Sequence, residues 1–168
     1  MFVLGIDPGL TRCGFGAVRR SRSGVQAVAA GVLETSSSDP LDRRLALLSE
    51  DLDELLDELL PDVVVVERIF FQANVRTVVS VAQASGLAIA AAARRSLTVA
   101  QYSPNEVKQA VVGHGSASKA QVAEMVARMC GLAEPPSPPD AADALALALC
   151  HISGSRLEEA LRAAGGAA

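Results

Sequence analysis

Four carboxylates stand where an acid is costly to hold without a partner. Asp7 closes the apolar run Phe2 to Ile6, and Glu67 closes the β-branched run Val63 to Val66. Both runs read as strands buried on both faces. Each acid therefore falls at the carboxyl end of a central strand, the mouth of the sheet where α/β proteins bind ligands. Asp140 and Asp143 are three residues apart in a segment that is otherwise small and apolar, Ala141 to Ala146. On a helix that spacing puts both on one face. Free N–H groups and the helix dipole favour acids in a first turn, and capping accounts for one of the two. A pair on a buried helix calls for a cation. All-oxygen ligation suits Mg2+, with Mn2+ as a substitute. Two such ions about 4 Å apart clamp an in-line displacement at phosphorus, one activating the attacking water and one stabilising the leaving 3′-oxygen. No Ser-His-Asp or Cys-His arrangement competes with this reading.

Basic residues supply the second half of the chemistry. Lys108 and Lys119, the only lysines, flank the loop Gly113-His114-Gly115-Ser116-Ala117-Ser118. Free N–H groups at a helix start, with lysine beside them, hold a phosphate. Gly115 is not followed by Lys-Ser or Lys-Thr, so this is not a nucleotide P-loop. A backbone phosphate of nucleic acid is the better ligand. The net charge of −4 argues against such a partner, but its distribution does not. Residues 34–67 carry eleven acids and two arginines, whereas residues 68–119 carry four arginines and both lysines against Glu106 alone. A patch of one sign matters more than the total. Arg76 and His114 fall in the basic block and join the candidate DNA contacts, although lone histidines such as His114 and His151 more often serve surface or structural roles. Phe70 and Phe71 follow Glu67 on a loop. One of them is a candidate to stack on an unpaired base, and at least one should belong to the core.

The elements that must position these groups follow from hydrophobic spacing. Pro8-Gly9 stops the first strand, and Arg12 to Gly16 begins its return as a hairpin. Val25 to Leu33 is a third strand, antiparallel to its neighbours because the turns are short. Ser38 or Asp39 is expected to cap a helix with Pro40 at its first position. Leu41, Leu45, Leu48, Leu52, Leu55 and Leu59 form its apolar stripe, with acids on the solvated face. Thr77 to Arg95 reads as a helix apolar nearly all round, buried against the core and either its own subunit or a second one. Leu97 to Tyr102 is the fifth strand. Ser103 with Glu106, and Ser118 with Gln121, form two capping boxes. Pro135 to Pro139 is a stiff connector. The last strong helix runs from Asp140 to about Ile152, followed by a weak amphipathic tail, residues 153–168, expected to fray.

Length and composition fit one domain. Half of the 168 residues are apolar and only 3% aromatic, so Val, Leu and Ala must fill the core. No basic segment precedes an apolar run at the N-terminus, and the apolar stretch Val78 to Ala93 is too short and too polar for a membrane span. Three widely spaced cysteines, Cys13, Cys130 and Cys150, suit a reducing cytoplasm and not a disulfide framework or zinc site.

Taken in order, Leu4-Gly5-Ile6-Asp7-Pro8-Gly9, Val66-Glu67-Arg68-Ile69-Phe70, Ala82-Gln83-Ala84-Ser85-Gly86, Val107 to Gly113, Lys119-Ala120-Gln121-Val122 and Asp140-Ala141-Ala142-Asp143-Ala144-Leu145-Ala146 resemble the RuvC family of bacterial crossover-junction endodeoxyribonucleases. The resemblance runs in register from residue 2 to about residue 152. It implies a ribonuclease-H-like α/β fold, a five-stranded mixed sheet flanked by helices. It implies a homodimer that nicks two strands of like polarity in a four-way (Holliday) junction, leaving 5′-phosphate and 3′-hydroxyl ends. It also implies work alongside the RuvA and RuvB branch-migration proteins. Asp7, Glu67, Asp140 and Asp143 fall on the family's metal-binding acids, the third of which is histidine in some members. Lys108 and Lys119 fall on its substrate-binding basic residues, and Phe70 on its stacking aromatic, with Phe71 beside it leaving that choice open. The net negative charge departs from an obviously basic DNA-binding face. Three other readings stand beside this one: a sugar-kinase or actin-like ATPase, whose phosphate loop Gly5 to Thr11 resembles; a YqgF-type nuclease acting on RNA; and a junction-binding protein without catalysis. ATP turnover, and cleavage of junction DNA against structured RNA, separate them.

Overall fold

The computed structural model describes residues 1–69 and 75–165, the side chains of residues 75–77 and 156–165 excepted. In chain order the elements are β1 (Phe2–Asp7), β2 (Arg12–Ser21), β3 (Gly24–Glu34), α1 (Leu41–Leu59), β4 (Val63–Glu67), α2 (Val75–Arg94), β5 (Thr98–Tyr102), α3 (Pro104–Val112), α4 (Lys119–Cys130) and α5 (Pro139–Gly165). The described strands form one mixed sheet in the order β3-β2-β1-β4-β5. β3, β2 and β1 pair antiparallel, as their short turns require. β4 pairs parallel to β1 and β5 parallel to β4, each reached through a helix.

Side chains alternate across the sheet with period two. On one face Val3, Val18, Val63 and Val65 pack against α3, α4 and α5 through Val107, Val111, Val122, Val126, Leu145 and Leu149. On the other, Leu4, Ile6, Ala17, Val64 and Val66 pack against Leu48, Leu52 and Leu56 of α1 and Ala84, Ala88, Ala91 and Ala92 of α2. A sheet covered on both faces accounts for the uninterrupted apolar runs of β1 and β4. On α2 one side is buried through small residues including Ser85, while Val79 is 51% exposed.

Several boundaries differ from the sequence-based expectation. Neither Ser38 nor Asp39 caps α1. Pro40 takes the cap position with extended backbone and no side-chain cap bond, and Ser38 Oγ instead meets Ser36 Oγ at 2.7 Å within the preceding turn. Leu41, expected in the apolar stripe, is 48% exposed, and Leu56, outside that stripe, is buried. Both capping boxes form as expected, at Ser103 and Ser118. The last helix continues past Ile152 to Gly165. Ser155 Oγ donates to the His151 carbonyl at 2.6 Å, a back-bond that lets a hydroxyl residue sit inside a helix. Cys13, Cys130 and Cys150 are buried free thiols, and burial pushes them up to about 11, 11 and 12. Among the described residues no helix is long and apolar enough to cross a membrane.

Candidate active site

Asp7 and Glu67 leave the sheet side by side. β1 and β4 are paired in parallel through Ile6 and Val66, so the next residue on each strand emerges at the same carboxyl edge. Asp7 lies opposite Gly14 on β2, and Glu67 opposite Tyr102 on β5. α5 brings the other two acids. It lies directly on β1 and β2 because three glycines present no side chain to it. A Cβ on Gly5 would overlap the Ala144 carbonyl oxygen, and one on Gly14 would overlap the backbone carbonyl of Asp140. One on Gly16 would meet Leu145 N at 2.6 Å. Helix and sheet are in backbone contact here, which sets Asp140 and Asp143 over the end of β1.

The four acids feel one another. Burial, then the charges of Glu67 and Asp143, push the Asp7 carboxyl up to about 7, against the opposing pull of Lys119. Asp140 adds a smaller push in the same direction. Burial and then Asp143 raise Glu67 as well, with Lys119 again opposing. Two cations are already engaged with the helix pair. Lys119 Nζ donates to Asp143 Oδ2 at 2.6 Å, and that bond raises the lysine. The helix dipole disfavours a lysine at the first position of α4, and the Asp143 carboxylate offsets this. Arg12 Nε donates to Asp140 Oδ2 at 3.1 Å, and Arg12 Nη1 donates to Glu34 Oε1.

Among the described residues no three His, Cys, Asp or Glu side chains form a cage for one ion. The donor set nevertheless fits a hard divalent cation. It is all oxygen, it repels itself, and burial first, then the neighbouring carboxylates, push one member up to about 7.

Beside the acids a cleft of about 290 Å³ is lined by Glu67, Asp143, Lys108 and Lys119 over an apolar floor that includes Val107, Val122 and Leu147. The cleft therefore brings together Glu67 and Asp143 of the four expected acids with both expected lysines; Asp7 and Asp140 do not line it, and Asp7 is linked to the other three through their charges. His114 does not line this cleft; its Nδ1 lies 3.1 Å from Ser116 Oγ on the exposed α3–α4 loop. His151 has the structural role expected, with Nδ1 3.0 Å from the Tyr102 hydroxyl. Phe70 and Phe71, and the side chain of Arg76, lie outside the described residues. Arg12 was not singled out from the sequence. Its signal is a cross-strand pair of opposite charge, Arg12 facing Glu34 between β2 and β3.

The comparisons with known proteins point the same way. Residues 3–151 match the family model described as crossover junction endodeoxyribonuclease RuvC. A protein of that description from Parafrankia sp. (strain EAN1pec) is 55% identical over 157 residues, covering 90% of this chain and 86% of the relative. The solved Thermus thermophilus RuvC structure superposes with a TM-score of 0.87 at 37% identity, over 94% of this chain and 97% of that one. A second structure, T. thermophilus RuvC in complex with a Holliday junction substrate, gives 0.85 at 34% identity over 94% and 96%. The mixed five-stranded sheet and its flanking helices thus have a single explanation: the chain belongs to the RuvC family, with a ribonuclease-H-like fold.

Proposed function

We propose that this chain is a Holliday junction resolvase, a metal-dependent endodeoxyribonuclease that nicks four-way DNA junctions during recombination and repair. The observation that supports the reading is a cleft lined by Glu67, Asp143, Lys108 and Lys119, beside an Asp7 whose carboxyl feels Glu67, Asp143 and Asp140. Asp7 and Glu67, fixed at adjacent strand ends, and Asp140 and Asp143, fixed on one helix face, are the residues that would hold Mg2+, with Mn2+ as a substitute. Bound there, the divalent ions supply Lewis acidity for hydrolysis of a phosphodiester. Lys108 and Lys119 hold the backbone phosphates of the strand entering the cleft. The apolar floor beneath them limits water to the acidic edge. Lys119 also neutralises part of the charge that Asp7, Glu67 and Asp143 would otherwise present to an incoming phosphate.

The same reading makes the protein a cytoplasmic homodimer, since two symmetric nicks need two such sites. The ends are 5′-phosphate and 3′-hydroxyl, and RuvA and RuvB are its branch-migration partners. Phe70, Arg76 and His114 extend the DNA contacts of the cleft, Phe70 by stacking on a base at the junction centre. The decisive experiment is nicking of a synthetic four-way junction with and without Mg2+, wild type beside Glu67→Gln. Paired Mg2+-dependent nicks in the wild type and none in the variant are expected. Equal nicking by both removes Glu67 from the site, and cleavage of structured RNA in preference to the junction overturns the assignment of substrate.

A further inference from the structure

Arg12 occupies a place that the reaction as described does not use. It is the first residue of β2, directly after the Pro8-Gly9 turn that follows Asp7. Its guanidinium bridges two carboxylates: Nε donates to Asp140 Oδ2 at 3.1 Å, and Nη1 donates to Glu34 Oε1. A β-bulge arranges this. Counted from the Ser21–Gly24 end at constant register, Arg12 would face Leu33. The register shifts by one residue between Ala17 and Val18, and Arg12 faces Glu34 instead. Bulges beside active sites commonly re-aim a side chain in this way. The turn that carries Arg12 is itself pinned. Arg44 Nη2 donates to Thr11 Oγ1 at 2.7 Å and Arg44 Nε to Thr35 Oγ1 at 3.0 Å, while Thr35 N donates to Thr11 O at 3.1 Å.

We propose that Arg12 is a positioning residue for the metal site, with Glu34 as its anchor: the Glu34–Arg12 pair holds one oxygen of Asp140 and so fixes the carboxylate that would hold a divalent ion. The inference rests on the reading of Asp140 as a metal-holding acid. Two features favour positioning over direct phosphate contact. The guanidinium is engaged on both sides by carboxylates, and Glu34 cancels its charge, so it adds little repulsion to an incoming cation. Outer partners that fix a ligating carboxylate typically change metal affinity by about 10- to 100-fold when removed. Lysine cannot replace the planar fork that reaches two carboxylates at once.

The test is Mn2+ binding to the DNA-free protein, by calorimetry and by the Mn2+ paramagnetic resonance signal. The double variant Arg12→Gln/Glu34→Gln removes one charge of each sign and leaves net charge unaltered. It is expected to lose about 10-fold or more in Mn2+ affinity, with junction affinity in chelator and its salt slope unchanged. Arg12→Lys keeps the charge without the fork and is expected to be impaired as well. Wild-type Mn2+ affinity in Arg12→Lys, or unchanged or tighter Mn2+ binding in the double variant, overturns the proposal. So does a salt slope lowered by about 1 with Mn2+ affinity intact, which makes Arg12 a phosphate contact. Asp140→Asn separates the two levels: unchanged Mn2+ binding in that variant overturns the reading of the site itself. A loss there, with none in the double variant, overturns the role of Arg12 alone.

Discussion

Replacing Asp7 with asparagine should make the metal-free protein more stable while abolishing its chemistry. Burial and the neighbouring charges of Glu67 and Asp143 move the Asp7 carboxyl from its ordinary value of 3.8 up to about 7. In the unfolded chain the same group releases its proton near 3.9. Between those values the folded state binds more protons, so stability is greatest at acid pH and falls as pH rises towards 7. At 1.36 kcal/mol per pH unit the penalty above pH 7 has a ceiling of about 4 kcal/mol. The repulsion is shared among coupled acids and solvent reaches the site edge, which brings the expected effect to roughly 1–2 kcal/mol. Asparagine keeps the shape and carries no charge. In chelator at pH 8 the variant should melt about 2–8 °C above the wild type, the gap should shrink to roughly a third of that at pH 5, and it should close only below about pH 4, where the unfolded carboxyl is protonated as well. Added Mg2+ should raise the wild-type melting temperature at pH 8 by mass action and leave the variant nearly unmoved. Junction binding in chelator should survive, and Mg2+-dependent nicking should vanish. A variant that melts lower than wild type at pH 8, or loses junction binding as severely as nicking, makes Asp7 a structural aspartate and refutes the reasoning.

Three further outcomes follow from the same geometry. Lys119→Ala should weaken junction binding and lower the salt slope by about 1, since one phosphate contact is lost; an unaltered slope confines Lys119 to its bond with Asp143. Gly5→Ala sets a methyl group against the Ala144 carbonyl and should cost about 1–3 kcal/mol or more, read as a lower urea midpoint, and an unchanged midpoint would show that α5 can lift off the sheet freely. Tyr102→Phe removes the hydroxyl that meets His151 and should cost roughly 0.5–1.5 kcal/mol in urea, whereas no change would leave His151 without the structural role described.

Much of the site was legible because its acids interrupt patterns that have physical reasons to be uninterrupted. Asp7 and Glu67 each end a strand whose neighbours all face a core. Asp140 and Asp143 sit on a helix in which Ala141, Ala142, Ala144 and Leu145 are all buried. The capping boxes were legible for a similar reason, since Ser103 and Ser118 meet their partners within one helical turn. Errors arose where a local signal had two outlets. The serines before α1 bond one another in a turn instead of capping the helix. Ser153-Gly154-Ser155 read as a helix end, yet α5 continues, with Ser155 bonded back to His151.

Arg12 marks the point where local reading stops. Its relation to Glu34 depends on a pairing register that one inserted residue resets, and nothing at Arg12 itself reports a bulge five residues away. Its relation to Asp140 crosses 128 residues of chain and exists only because Gly14, on the same strand, lets the α5 backbone approach. On the proposed reading of Asp140, the glycine is therefore as much a part of the metal site as the acid it admits. A side chain at position 14 would lift the first turn of α5, carry Asp140 away from Asp7 and break its bond to Arg12 together. Gly14→Ala should accordingly weaken Mn2+ binding and lower stability in parallel, whereas Arg12→Gln/Glu34→Gln should weaken Mn2+ binding with little change in the melting temperature. If the two variants instead moved stability and metal affinity in the same proportion, the Arg12 bridge would be a brace of the fold and not of the site.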